Sequence, residues 1–400
     1  MRDVGLTGAN YRLFLDALAD PHSIRVDVAV LNLDGDELSR ISPQIIDGQV
    51  DVDADGDVSR VLTATLLDPS HSLQIDSESP DDGALYADRM LQVVYSVLVP
   101  ALNDRVDVEV FTGPVVAFER TGAQVQLTAH GKEELALGWI WRPLNIKAKA
   151  RKTDAIRKIM SAGAGETRFD IPDLATRIPK GISLGRAAQP WPRCRAIARS
   201  LNRQLYYDGA GVCRLRIRPR RPVATFRSGD PRRANITSPV TVSHDFTELK
   251  NTVWFRGGKP KGQKKAVEYA AVAPKGHPLS PIRLGRTNAD GDNVPRYLVH
   301  EASNDHVRSK AEAKKRAQAL LDDMLVEVLG VQFTAVPFPH LDPLDVVRVE
   351  TDDFAANVRI RQFSLPLALS DGTGMTVGYI DRVSRPAKHR IRPSRRRRVA

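Results

Sequence analysis

Three aspartates on alternate positions followed by a glycine, Asp51, Asp53, Asp55 and Gly56 in "DVDADGDVSR", are the residues whose types and spacing first suggest chemistry. They reproduce the D-x-D-x-D-G opening of an EF-hand loop, in which carboxylates at alternate positions supply oxygen ligands to calcium. The twelfth position of such a loop must bring a bidentate acid, and here it is Leu62. The flanks differ as well: Val50, Val52 and Ala54 alternate with the aspartates as in a strand with one wet face, where an EF hand needs helices. The stretch therefore reads as a β-hairpin with Asp55-Gly56 at its turn.

Other candidates fail on similar grounds. "HEASNDH" at 300–306 approaches the zinc-protease H-E-x-x-H, but that motif needs a histidine at the place of Asn304. The sequence holds no G-x-S-x-G elbow, P-loop or dinucleotide glycine pattern. Asp322 and Asp323 are adjacent on the polar side of a helix and read as solvated, and His340 in "FPHLDP" reads as a turn residue rather than a general base. Cys194 and Cys213 have neither metal nor redox spacing and read as buried thiols. "RGGKPKGQKK" at 256–265 is basic enough to meet phosphates but lacks interleaved aromatics, so it reads as a solvent loop. No catalytic residue, metal ligand or cofactor site is nominated.

Charge is distributed unevenly. Residues 1–100 hold six Lys and Arg against eighteen Asp and Glu, a balance of −12, so the remaining 300 residues carry +23 of the net +11. The run "RPAKHRIRPSRRRRVA" at 385–400 has eight Lys or Arg and no acid; it is expected to be disordered and free to touch an acidic partner, nucleic acid or solvent. No stretch has the roughly 20 apolar residues of a membrane helix, and the N-terminus lacks the order of a secretion signal. The expectation is a soluble chain made in the cytoplasm, with no membrane anchor.

The elements that position these residues follow from periodicity. Residues 9–20 fit a short helix bearing Leu13, Ala17 and Leu18, ended by Pro21. Period two then dominates to about residue 145, which predicts antiparallel strands curved into a closed or nearly closed barrel. A helix follows with Ile156, Ile159 and Met160 inward, capped by Thr153 or Asp154 and stopped by Gly163. A second carries Cys194, Ile197, Ala198 and Leu201, and a hairpin turns at Gly209-Ala210-Gly211. Ser309 and Glu312 form a capping box for a helix whose stripe is Ala313, Ala317, Leu320, Leu321, Met324 and Val328. The predicted class is α+β, mainly β. Its expected organisation is a first β-barrel domain over 1–148, an α+β domain over 149–235, and a second β domain over 236–384. That last domain would contain a loop-rich insertion at 257–300 and the helix 310–328, and 385–400 would be a basic tail.

Taken in order, these segments resemble the hub, or tail-tip, proteins of tailed bacteriophages, especially minor tail proteins. The resemblance is carried by "VSRVLTATLLDP" with Arg60 and Asp68, by "VFTGPVVAFERTG" (111–122 and its preceding Val110), and by "PWPRCRAIARSLNRQLYYDGAGVCRLRIRP". It continues in "FTELKNTVWFRGG" from Phe246 to Gly258 and in "HLDPLDVVRVE", where Asp345 would turn the chain into a strand. It implies a non-enzymatic virion component of two tube-type β-barrels, the second over 236–384, that assembles as a homotrimer. Six barrels would then continue the hexameric tail tube, contact distal tail proteins, adapt to three-fold spike or fibre parts, and line a channel through which DNA passes without being read. The aspartates at 51 and 53 would face that channel and repel DNA. The alternatives are a tail-associated cell-wall hydrolase, which a cleft with paired carboxylates would indicate, and a basic nucleic-acid-binding protein.

Overall fold

The computed structural model describes residues 4–18, 24–73, 85–229, 234–244, 249–260, 262–325, 329–353, 355–368 and 374–382. Pro21, residues 19–20, Phe246, Val328 and the basic run 385–400 lie outside them.

Alternation of apolar and polar residues does produce strands through the first segment. Arg60–Leu67 is buried at every second position, and its antiparallel neighbours are Ile45–Asp53 and Gln124–His130. Asp104–Thr121 is 18 residues long and bends. Its first part pairs with Arg89–Val99 and its second with Gln124–His130, with register shifts in both pairings. Such bulges let one strand serve two parts of a curved sheet. Gly113 sits at the bend because a Cβ there would overlap the His130 carbonyl oxygen.

The first and last segments meet edge to edge. Ile45–Asp53 pairs antiparallel with Ala355–Pro366, from Asp53 opposite Gln362 to Gln49 opposite Pro366. The result is one 13-stranded sheet. From one end its path is Thr241–His244, Leu329–Ala335, Met375–Arg382, Ala355–Pro366, Ile45–Asp53, Arg60–Leu67, Gln124–His130, Asp104–Thr121, Arg89–Val99, Ile24–Asn32 and Glu37–Arg40. Val346–Glu350 branches from Ala355–Pro366 and carries Pro222–Arg227 in parallel. Among the described strands this path is open, with Glu37–Arg40 and Thr241–His244 at its ends; no closed barrel is formed among them, where a closed or nearly closed one is expected from the sequence. Its main core takes Tyr95 and Phe111 from the first segment, Phe226 from the strand Pro222–Arg227, and Phe333 and Phe363 from the last segment. Helix α1 (Gly8–Leu18) adds Phe14, Ala17 and Leu18 to that core.

The middle of the chain builds a separate core. Helices α2 (Glu133–Leu137), α3 (Lys152–Ala164) and α4 (Pro190–Ser200) pack with the hairpin Gln204–Tyr207 and Cys213–Arg216. Ile156, Ile159, Met160, Cys194, Ile197 and Ala198 are buried there as the helical period required. Two cap expectations fail. Thr153 and Asp154 lie inside the first turn of α3, whose N-cap is Arg151, and the left-handed C-cap is Gly165. Gly163 is instead helical and faces Pro190, where a Cβ would collide with the proline ring.

The insertion forms a third small core. Thr252–Gly257 pairs antiparallel with Glu268–Val272 and parallel with Val299–Asn304, and α5 (Lys310–Met324) lies on one face. Ser309 accepts a hydrogen bond from the Glu312 amide at 3.2 Å, and Ala313, Ala317 and Leu321 are fully buried.

Candidate functional site

Polar groups converge where the three segments meet, and burial makes each of them costly unless paired. Arg60, at the start of its strand, is 1% exposed. Its Nη2 donates to Asp342 Oδ1 at 3.0 Å and its Nη1 to the Val110 carbonyl at 3.1 Å. Asp342 lies 282 residues away in sequence and is equally buried. Tyr206 of the middle segment donates to Asp342 Oδ2 at 3.3 Å, and Arg216 stacks on the Tyr206 ring with its guanidinium carbon 4.6 Å from the centroid. Arg216 Nη1 also reaches Asp345 Oδ1 at 3.2 Å, and the Asp342 amide donates to Asp345 Oδ2 at 2.9 Å. The "DPLD" turn thus places two carboxylates at the mouth of the last β segment, and each of the other segments contributes a cation to them. Burial pushes the Tyr206 hydroxyl far above its ordinary value, with Asp342 adding to the effect, so it stays a donor.

A second buried carboxylate lies beside this group. Glu133, in the first turn of α2, accepts from Ser59 Oγ at 2.5 Å and from the Tyr207 amide at 3.4 Å. Burial raises its pKa above the ordinary carboxylate range despite these bonds and the nearby Arg60 charge. Next to it, a cavity of about 110 Å³ is lined by six arginines: Arg195, Arg199, Arg203, Arg218, Arg359 and Arg361. Burial lowers the Arg199 pKa, and the Arg195 and Arg218 charges lower it further.

The aspartate-rich stretch ends in this cavity. The hairpin connection is six residues wide, 54–59, closed by the Asp53 amide donating to the Ser59 carbonyl at 2.9 Å; it is wider than a turn at Asp55-Gly56 alone. Asp55 pairs with Arg361 at 3.0 Å, Asp57 pairs with Arg195 at 3.1 Å, and Trp191 Nε1 donates to the Asp57 carbonyl at 3.0 Å. Asp53 accepts from Gln362 at 2.7 Å, and burial raises the Asp51 pKa although Gln49 donates to it. The carboxylates of Asp53, Asp55 and Asp57 are thus engaged by other segments of the chain. No cluster of three or more His, Cys, Asp or Glu positioned to hold a metal occurs among the described residues.

The remaining singled-out residues are scattered. His300 and Glu301 lie on the strand Val299–Asn304, and Asn304 instead bonds the Ala196 carbonyl of α4 at 3.0 Å. His340 is in a turn, as expected, but is fully buried: Tyr11 Oη is 3.1 Å from its Nε2, and the rings of Tyr11, Phe14 and Phe338 surround it. It joins α1 to the last segment. Asp322 is exposed and accepts from Gln318 at 2.9 Å, and Cys194 and Cys213 are free and buried. Asp68 is buried and paired with Arg120 at 2.9 Å. Glu133, Tyr206, Arg216 and the arginine cavity were not singled out from sequence. The Asp342/Asp345 spacing and the alternating arginines of "CRLRIR" were the available signals.

This geometry shows buried polar contacts that fasten three segments of the chain together. Known structures give this arrangement a particular setting. The fold matches a tail protein of Neisseria meningitidis with a TM-score of 0.59 at 14% identity, over 90% of this chain and 96% of that one. It matches the 43 kDa tail protein of prophage MuSo2 from Shewanella oneidensis with a TM-score of 0.57 at 10% identity, over 90% and 98%. A prophage tail protein of Listeria monocytogenes matches at 0.52 and 7%, over 90% and 95%. Compared by sequence, the chain matches no family profile and no curated protein. The chain therefore has the fold of phage-type tail proteins, as the order of its motifs implied.

Proposed function

We propose that this chain is a structural component of a phage-type tail: a non-enzymatic, homotrimeric hub at the tail tip, located in the virion. It joins the hexameric tube to three-fold spike or fibre parts and encircles the path of the DNA. The observation that carries this reading is the open sheet. Among the described strands, its path ends at Glu37–Arg40 and Thr241–His244 and its branch at Pro222–Arg227, each with a strand neighbour on one side only, and an uncovered strand edge invites pairing with another chain. Assembly into a closed ring covers such edges. The likeness to tail proteins over nearly the whole chain supports the same setting. In this reading the first and last β segments, 1–148 and 236–384, act as the two ring-forming units, and 149–235 braces them.

The test is single-particle imaging and light scattering of the purified chain, alone and with tail-tube subunits. A three-fold particle with a central opening is expected. A particle that stays monomeric in both conditions refutes the hub.

A further inference from the structure

The arginine cavity adjoins a larger groove of about 530 Å³, and Arg218 and Arg359 line both. The groove runs between the segment around Ile217 and Arg220 and the outer face of α5, where Lys314 and Lys315 are exposed. Together the two hollows are lined by nine basic and four acidic residues. Ile217, 62% exposed, gives the groove an apolar floor.

The opposite character is found at one end of the sheet. Residues 33–40 are all exposed, and they include Asp34, Asp36 and Glu37 together with Leu33 and Leu38, which are 50% and 52% exposed. At that edge Glu37 is paired with Arg40 at 2.7 Å and Asp36 accepts from Asn32 at 3.0 Å, which leaves Asp34 and Asp36, among the described residues, as the acids without a cation on the edge itself. This edge belongs to the region of the chain that carries −12.

We propose that the basic groove of one copy receives the acidic sheet edge of a second copy of this chain. The interface rests on the trimeric reading above and gives it a specific surface. It is heterologous, with both complementary faces on every copy, which is the geometry that closes into a ring. Each face combines exposed apolar side chains, Ile217 in the groove and Leu33 and Leu38 at the edge, with charged ones, as protein interfaces do. Beside the groove, at the adjoining arginine cavity, Arg361 and Arg195 already pair with the exposed carboxylates of Asp55 and Asp57. A nucleic acid strand fits it less well. The aromatic residues of its lining, Trp191 and Tyr206, are 2% and 3% exposed and offer no platform on which bases could stack.

The experiment measures the mass of the full chain by light scattering at about 0.15 M and about 1 M salt, since screening weakens rim charges. The triple variant Arg220→Glu, Lys314→Glu, Lys315→Glu alters exposed groove residues outside the buried junction. It is expected to lose the trimer while keeping the wild-type circular dichroism and Tm. Asp34→Lys, Asp36→Lys, Glu37→Lys is expected to do the same. All six substitutions in one chain restore complementarity, and the trimer is expected to return. A trimer that persists in both triple variants, or fails to return in the sixfold variant, overturns this interface and leaves the trimeric reading standing. A wild-type chain that is monomeric under all conditions overturns both. If the groove variant loses binding to a single-stranded DNA oligonucleotide but keeps its trimer, the groove serves nucleic acid and the proposal is wrong.

Discussion

Replacing Asp342 by asparagine tests whether the buried junction fastens the segments. In the folded chain the Arg60 guanidinium is 3.0 Å from Asp342, and both side chains are 1% exposed. The amide fills the same space as the carboxylate but removes the negative charge that faces both Arg60 and Arg216, while the Arg60 guanidinium keeps the Val110 carbonyl at 3.1 Å. Breaking a buried pair from one side costs about 3–5 kcal/mol, because an uncompensated charge remains out of water. At about 1.4 kcal/mol per decade, local opening at the junction becomes about 100- to 4,000-fold more frequent. Hydrogen exchange reads this directly at the amides of Arg60–Leu67, Cys213–Arg216 and Val346–Glu350, one strand from each segment. A control separates burial from distance. Arg25 and Asp27 are closer, at 2.7 Å, but 60% and 23% exposed, so Asp27→Asn is expected to cost less than about 1 kcal/mol. Arg60→Met combined with Asp342→Leu should recover part of the loss, because no charge is then stranded. Equal exchange in Asp342→Asn and Asp27→Asn, or protection in Asp342→Asn within about threefold of wild type, refutes the reasoning.

Other expectations follow from single positions. Glu133 has its pKa raised by burial, so its contribution is fully present at low pH and is lost as pH rises through the raised value; Glu133→Gln should flatten that slope and raise stability at neutral pH, read by denaturant midpoints from acid to neutral pH. Gly113→Ala pushes a methyl into the His130 carbonyl at the bend of the long strand, and a loss of about 1–3 kcal/mol is expected in urea titrations; an unchanged midpoint would mean the bend relaxes freely. Ser309→Ala removes the cap of α5 and should cost about 1 kcal/mol, with increased exchange confined to the first turn of that helix.

Much of the local structure was legible in the residues themselves. The period-two run of "RVLTATLL" and the helical stripes around Ile156, Cys194 and Ala313 each name an inward face, because side-chain direction repeats with the backbone period of a strand or helix. The ordered motifs pointed to the tail-protein fold, and the missing acid at Leu62 was sufficient to set the EF-hand reading aside. Periodicity says which face is buried but not against what. That Ile45–Asp53 pairs with Ala355–Pro366, merging the first and last segments in one sheet, depends on strands about 300 residues apart finding a common edge. The same holds for the junction. Arg60 reads locally as one polar residue in a strand, and it becomes buried only because folding brings Asp342 to it across 282 residues of chain. The aspartates of "DVDADGDVSR" read as a wet face, and Asp55 and Asp57 do stay exposed, but the arginines of α4 and of Ala355–Pro366 pair them with other segments of the chain. Sequence set the period, the charge and the order of the elements. Tertiary structure alone decided which charges are paired, because a buried charge is stable only beside a partner that the fold delivers from elsewhere in the chain.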